Sequence, residues 1–203
     1  MEAFHQQLKK PFHIFSLWLL NSKDLGIGTK LIFSDTYVKL WFNFYNKIFE
    51  NKEKVLKISK EENLGYTTFM AFYIYYLVMS KPEIKVVVIE KKRSIIPLLT
   101  LIDVIMFDRF NIKSLEGSRV FGGTKLTFEN ESIVKTFPPA TYNLKNMGEI
   151  EFIFFDECEI KNLEKLNFDI SIALETSEIK KMVLTVTNDL SADYPEIKTI
   201  KIN

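Results

Sequence analysis

Three runs in this chain are apolar almost without interruption: Val86-Val87-Val88-Ile89, Phe152-Ile153-Phe154-Phe155 and Met182-Val183-Leu184-Thr185-Val186-Thr187. A strand with one wet face alternates apolar and polar residues. A strand that is apolar throughout must be covered on both faces, and that is the pattern of parallel sheets flanked by helices. Val55-Leu56-Lys57-Ile58-Ser59 reads as a fourth strand of the same sheet. Helical segments separate these runs. Residues 67–80 are apolar on nearly every face, which predicts a buried helix stopped by Lys81-Pro82. Ser34 or Asp35 is a suitable N-cap for a helix that places Tyr37, Leu40, Trp41, Phe44, Ile48 and Phe49 on one face. Residues 95–107 and 163–174 read as further helices. Between them, Gly117, Gly122 and Gly123 punctuate short strands at 119–121 and 125–128, followed by weak alternation over 132–137. Buried strands separated by helices predict an α/β fold, a three-layer sandwich with a mainly parallel central sheet. Residues 1–33 form an N-terminal helical segment in this reading, rich in Phe12, Phe15, Leu17, Trp18, Leu19 and Leu20 and broken at Gly26 and Gly28. Residues 34–203 form one domain.

Composition excludes several classes of function. A net charge of +1 gives no global attraction to nucleic acid or anionic membrane, so any DNA contact must be local. The longest apolar stretch, residues 69–79, covers about half of the ~20 residues a membrane helix needs. The reading therefore expects no membrane partner. Cys158 is the only cysteine, which rules out an internal disulfide and suits a reducing compartment. The only histidines, His5 and His13, lie far from it in sequence, so a catalytic Cys-His pair has no support and a buried thiol is the simpler reading. There is no His/Cys metal constellation and no Ser-His-Asp arrangement.

The chemistry-bearing residues stand at the ends of the strands. After the first strand comes Lys60-Glu61-Glu62-Asn63-Leu64-Gly65-Tyr66-Thr67-Thr68, and the apolar helix follows at once. About ninety residues later, four apolar residues end in Asp156-Glu157. Strand, Gly-x-Thr, helix, then a second strand carrying Asp-Glu is the order of a phosphate-binding loop and its acidic partner. Backbone amides and a Lys hold phosphate there, and the hydroxyl and Asp hold Mg²⁺. Taken with Lys81-Pro82, Val86-Val87-Val88-Ile89-Glu90-Lys91-Lys92, Gly117-Ser118-Arg119, Pro138-Pro139 and Thr185-Val186-Thr187-Asn188, the order resembles the ATPase domain of the terminase large subunit. That protein is the DNA-packaging motor of tailed bacteriophages and their relatives. The resemblance covers roughly residues 35–190.

The resemblance implies roles residue by residue. Glu157 would orient the attacking water as the catalytic residue. Asp156 and Thr67 would hold Mg²⁺. Lys60, Gly65, Thr67 and Thr68 would contact ATP, and Asn43 in Leu40-Trp41-Phe42-Asn43 would read adenine. Asn43 has a plainer reading as a polar residue on a core helix. Thr187 and Asn188 would couple hydrolysis to movement. Lys91, Lys92, Arg93, Arg119 and Lys145 are candidates for contacting double-stranded DNA or a neighbour's nucleotide; each is equally a solvated surface charge. Partners would be other packaging or particle subunits in the cytoplasm of a host cell. No clustered aspartates of a C-terminal nuclease are present, so the nuclease would belong to another chain or to a part of the protein beyond this sequence. An Asp-Glu-Cys run also occurs in helicases, which keeps a helicase-like fragment open.

The chain departs from that family where phosphate should bind. Tyr66 replaces the loop Lys, Glu62 aligns with the loop Arg, and Glu61 stands beside it. Like charges about 4 Å apart repel by ~4 kcal/mol at an effective dielectric of about 20. Loss of a charge-assisted phosphate contact removes about 1.5–3 kcal/mol more. These terms predict ATP affinity lowered by several decades, and hydrolysis impaired or lost. Lys60, at the first position of the loop, is the one candidate for supplying the missing charge. It keeps open the alternative of an active packaging motor with a variant loop, using ATP and Mg²⁺.

Overall fold

A computed structural model describes residues 6, 9, 10, 12, 35–60, 65–90, 94–110, 115–120, 123–139, 142–156, 163–187 and 198–202. In chain order the elements are α1 (Asp35–Phe49), β1 (Val55–Lys60), α2 (Tyr66–Ser80), β2 (Lys85–Glu90), α3 (Ile95–Phe110), β3 (Leu115–Val120), β4 (Gly123–Phe128), β5 (Ile133–Phe137), β6 (Gly148–Asp156), α4 (Leu163–Thr176), β7 (Ser177–Thr187) and β8 (Lys198–Ile202). The strands form one eight-stranded sheet in the order β3-β4-β5-β2-β6-β7-β1-β8. From β5 to β8 every pairing is parallel, while β3 and β4 add an antiparallel hairpin at one edge. The α/β sandwich expected from the apolar runs is present, and the four apolar strands read from sequence all lie in this sheet.

Side-chain alternation sorts the sheet into two cores. Leu56, Ile58, Val86, Val88, Phe152, Phe154 and Val183 face one way, against α1, α2 and α3. Val87, Ile89, Ile153, Phe155, Met182 and Leu184 face the other, against Ile170 and Ala173 of α4. Helix α2 is apolar all round because it is enclosed: Tyr66, Phe69, Met70, Ile74, Tyr75 and Val78 are among its buried residues. Trp41 of α1 packs on Phe69 and Phe72, and Phe44 on Tyr66 and Phe69. Connecting β1 to β2, α2 must cross two intervening strands, β7 and β6. Its first turn therefore stands over the C-terminal edge of the parallel strands, where ligand sites of such sheets form.

The structure differs from the sequence reading at strand ends. β6 begins at Gly148 and β7 at Ser177, each several residues earlier than the apolar runs. These first halves carry Ile150 and Ile179 buried on one face and Glu149, Glu151 and Lys180 on the other. One-sided cover produces alternation rather than a continuous run, and alternation over so few residues is a weak signal. β8 is absent from the sequence reading altogether. Its five residues include two lysines, and it is a strand because it pairs with β1 from Leu56↔Lys198 to Lys60↔Ile202.

At the N-terminus, Phe12 is buried, with its ring centroid 5.2 Å from Tyr73, 5.3 Å from Tyr76, 5.6 Å from Phe69 and 5.7 Å from Tyr45. The Tyr76 hydroxyl donates to the Lys10 carbonyl at 2.7 Å. At this point the aromatic N-terminal segment packs within the chain. Phe15, Trp18 and Leu19 lie outside the described residues.

Candidate nucleotide and cation site

Strands β2, β6 and β7 each carry a polar residue at the C-terminal edge, on the face that carries α2. Register places Glu90 opposite Asp156, and the β6–β7 pairing continues from Phe155↔Leu184 to set Asp156 beside Thr185. Parallel neighbours are ~4.8 Å apart, so these three form one row along the sheet edge. The loop half of the motif reaches this row. The Thr67 hydroxyl donates to Asp156 Oδ2 at 3.1 Å. The Thr185 hydroxyl lies 3.1 Å from the Phe155 carbonyl oxygen and 3.3 Å from Asp156 Oδ1, so its one proton serves that end of the row. The two sequence motifs, 89 residues apart, thus meet at one side-chain contact.

Gly65 makes the turn between strand and helix. Its backbone is left-handed, φ 68° and ψ 17°, a conformation that favours glycine. The Phe69 amide donates to the Gly65 carbonyl at 3.0 Å, which starts the helix. The first amides of any helix have no carbonyl partner within it, and a ligand or water can take them.

Tyr66 stands where a phosphate-binding loop carries its lysine. Its side chain is 1% exposed and sits in the core beneath the turn. The ring centroid is 5.0 Å from Phe44, 6.0 Å from Phe69 and 6.0 Å from Phe154. Burial pushes its phenol well above its usual pKa, and the nearby Asp156 charge pushes it further. The residue is neutral at every physiological pH. A lysine at this place would bring a positive charge to phosphate; the tyrosine brings a core ring. Thr67 and Asp156 fit a Mg²⁺ ion, whereas Tyr66 does not fit a triphosphate.

Glu90 completes the row, and the sequence reading does not single it out as a site residue. It is 1% exposed. Its Oε2 accepts from the Ser94 amide at 2.7 Å, the Ile95 amide at 2.9 Å and the Ser94 hydroxyl at 3.3 Å, capping α3. Burial raises its pKa, the Ile95 and Ser94 amides pull it back, and the Asp156 charge raises it again. A glutamate ending a fully apolar parallel strand, with Ser94 four residues on and a helix after it, is the available signal. Thr185 is likewise missed as a site residue; its signal is a hydroxyl breaking the apolar face of β7.

The other expected residues are scattered or undescribed. Thr68 is half-buried on α2, and Asn43 is half-buried on α1 next to Phe44, with no described contact to the row. Lys60 and Thr187 are register partners at the ends of β1 and β7. Arg119 is in β3, the far edge strand, four places from β6. Lys145 is exposed in the turn before β6, so the whole nine-residue strand separates it from Asp156, about 25–30 Å along the sheet. Glu61, Glu62, Lys91, Lys92, Arg93, Glu157, Cys158 and Asn188 lie outside the described residues. No helix among the described residues is long and apolar enough to cross a membrane.

No protein-family model and no curated protein matches the chain. Among solved structures it is similar to the large terminase of a thermophilic bacteriophage. One crystal form of that protein is 15% identical with a TM-score of 0.46, covering 76% of this chain and 39% of that one. Its ADP complex is 13% identical with a TM-score of 0.47, covering 84% and 45%. Its complex with ATP-gamma-S is 12% identical with a TM-score of 0.45, covering 84% and 44%. The chain spans less than half the length of these proteins. The strand order and the Thr67–Asp156 contact stand independently of that likeness, and it assigns no activity.

Proposed function

We propose that this chain is a domain of the DNA-packaging ATPase type that has lost ATP turnover and serves as an assembly or packaging component. It would act beside other subunits of a virus or virus-derived particle in the host cytoplasm, with double-stranded DNA as the handled polymer. The support is the order of motifs in the sequence together with their meeting at Thr67 and Asp156. The observation that carries the loss of turnover is the burial of Tyr66 among Phe44, Phe69 and Phe154. Phosphoryl transfer depends on positive charge held against the phosphates. A neutral ring in the core cannot supply it, and Glu61 and Glu62 in the loop oppose it.

The test is direct measurement of ATP binding by the unmodified chain, with and without Mg²⁺. No binding at cellular ATP concentrations is expected, and no hydrolysis. The paired change Glu62→Arg with Tyr66→Lys is expected to restore binding. Tight ATP binding by the unmodified chain overturns the reading. If Lys60→Ala then abolishes that binding, the chain is an active ATPase with a variant loop.

A further inference from the structure

We propose that Glu90 and Asp156 together hold a hard divalent cation of the Mg²⁺ or Mn²⁺ type with no nucleotide present. The two carboxylates are register partners on adjacent parallel strands and lie on the same face. Val86 and Val88 before Glu90, and Phe152 and Phe154 before Asp156, all enter the core under α2. Capping α3 uses only one oxygen of Glu90. Oε1 is buried and accepts no hydrogen bond among the described residues. A buried carboxylate oxygen without a partner is costly, and a helix cap alone needs no second oxygen. Asp156 beside it is already oriented by Thr67 and Thr185.

Two carboxylates and a hydroxyl form an all-oxygen donor set, which suits hard cations that keep several waters. In a working phosphate loop, the nucleotide supplies the anionic oxygens that share the cation with Asp and Thr. Here Glu90 stands next to Asp156 and supplies that negative charge from the protein. A dication would satisfy Oε1 and remove the repulsion between the pair. Thr67 lies close enough to join through its hydroxyl, since it already touches Asp156. The inference rests on this geometry and not on the packaging-motor reading.

The experiment titrates nucleotide-free chain with Mn²⁺ and follows free Mn²⁺ by electron paramagnetic resonance, with Mg²⁺ as competitor. One Mn²⁺ per chain, displaced by Mg²⁺, is expected. Glu90→Gln keeps an oxygen for the Ser94 and Ile95 amides while removing the charge, and is expected to weaken binding at least about tenfold. Asp156→Asn is expected to do the same, and Lys81→Ala to change nothing. Absence of Mn²⁺ binding by the wild type overturns the proposal. So does unchanged affinity in Glu90→Gln, which would leave the ion to Asp156 alone. Should that variant fail to fold, Glu90→Asp, which retracts the charge by one methylene, takes its place with the same expected loss and the same overturning result. Because nucleotide is absent throughout, failure here leaves the ATP reading standing, and the converse also holds.

Discussion

Strand β6 carries carboxylates near both ends, and two of them, Glu151 and Asp156, are treated in opposite ways. Glu151, near the N-terminal edge, is gripped by Lys81 at 2.8 Å and Lys180 at 2.7 Å. Lys180 also reaches Glu149 at 2.8 Å. Although burial pushes the Glu151 carboxyl up, the hydrogen bonds and charges of the two lysines outweigh it, and the net shift is downward. Asp156, five residues on, meets hydroxyls and a second carboxylate, Glu90, whose pKa is raised. One end of the strand sets a carboxylate between two lysines. The other end sets two carboxylates side by side, as a site for an external cation does.

The sharpest break of this comparison concerns what lies beneath the site. If Tyr66 is core, Tyr66→Ala removes a fully buried ring from contact with Phe44, Phe69 and Phe154. Loss of about 3–5 kcal/mol is expected in equilibrium urea unfolding. A loss below about 1 kcal/mol would falsify the placement of Tyr66 in the core. It would also return the side chain to the ligand side of the turn. Next in size is Thr185→Val, which keeps shape and removes the hydroxyl shared between Phe155 and Asp156. A cost of about 1–2 kcal/mol is expected, because a buried carboxylate oxygen loses a donor. A neutral result would mean that Asp156 is oriented without Thr185.

The two ends should also respond to pH with opposite sign. Folded Glu90 keeps its proton to higher pH than the unfolded chain, whose glutamates titrate near about 4.3. Its ionisation therefore lowers stability as pH rises from about that value through the raised folded pKa. Glu151 is the reverse: its contribution is present above the ordinary glutamate pKa and is lost as pH falls through its lowered folded value. Measured from acid to neutral pH without divalent cations, Glu90→Gln should gain on the wild type as pH rises. Glu151→Gln should fall behind by about 1 kcal/mol, as for a partly exposed ion-pair network. Parallel profiles for the two variants would remove the distinction between the ends.

How much of this is legible in the sequence follows from the same physics. Fully covered strands announce themselves, so Val86-Val87-Val88-Ile89 and Phe152-Ile153-Phe154-Phe155 read as β2 and β6 without help. The turn at Gly65 and the partnership of Thr67 with Asp156 are legible because motif order fixes which strand ends share an edge. The burial of Tyr66 is not, since a substitution says that a charge has gone and not where the new ring lies. Glu90 looks like the first member of a polar cluster with Lys91 and Lys92. Only the register, which pairs it with Asp156, makes it part of the site. The early halves of β6 and β7, and all of β8, depend on pairing partners remote in sequence.

The smallest effect belongs to the lysine-bound end. Lys81 reaches Glu151 at 2.8 Å, but its side chain is 57% exposed and Lys180 holds the other oxygen of the same carboxylate. Truncating it leaves Glu151 with one lysine, and water replaces the other. Lys81→Ala should therefore cost no more than about 0.5 kcal/mol, shrinking further in high salt as exposed charges are screened. The double change Lys81→Ala with Glu151→Gln should cost about as much as Glu151→Gln alone, because the lysine acts only through that carboxylate. If Lys81→Ala instead costs several-fold more and salt leaves it unchanged, Glu151 is a buried charge in need of both partners. The two ends of β6 would then differ only in which cation each has found.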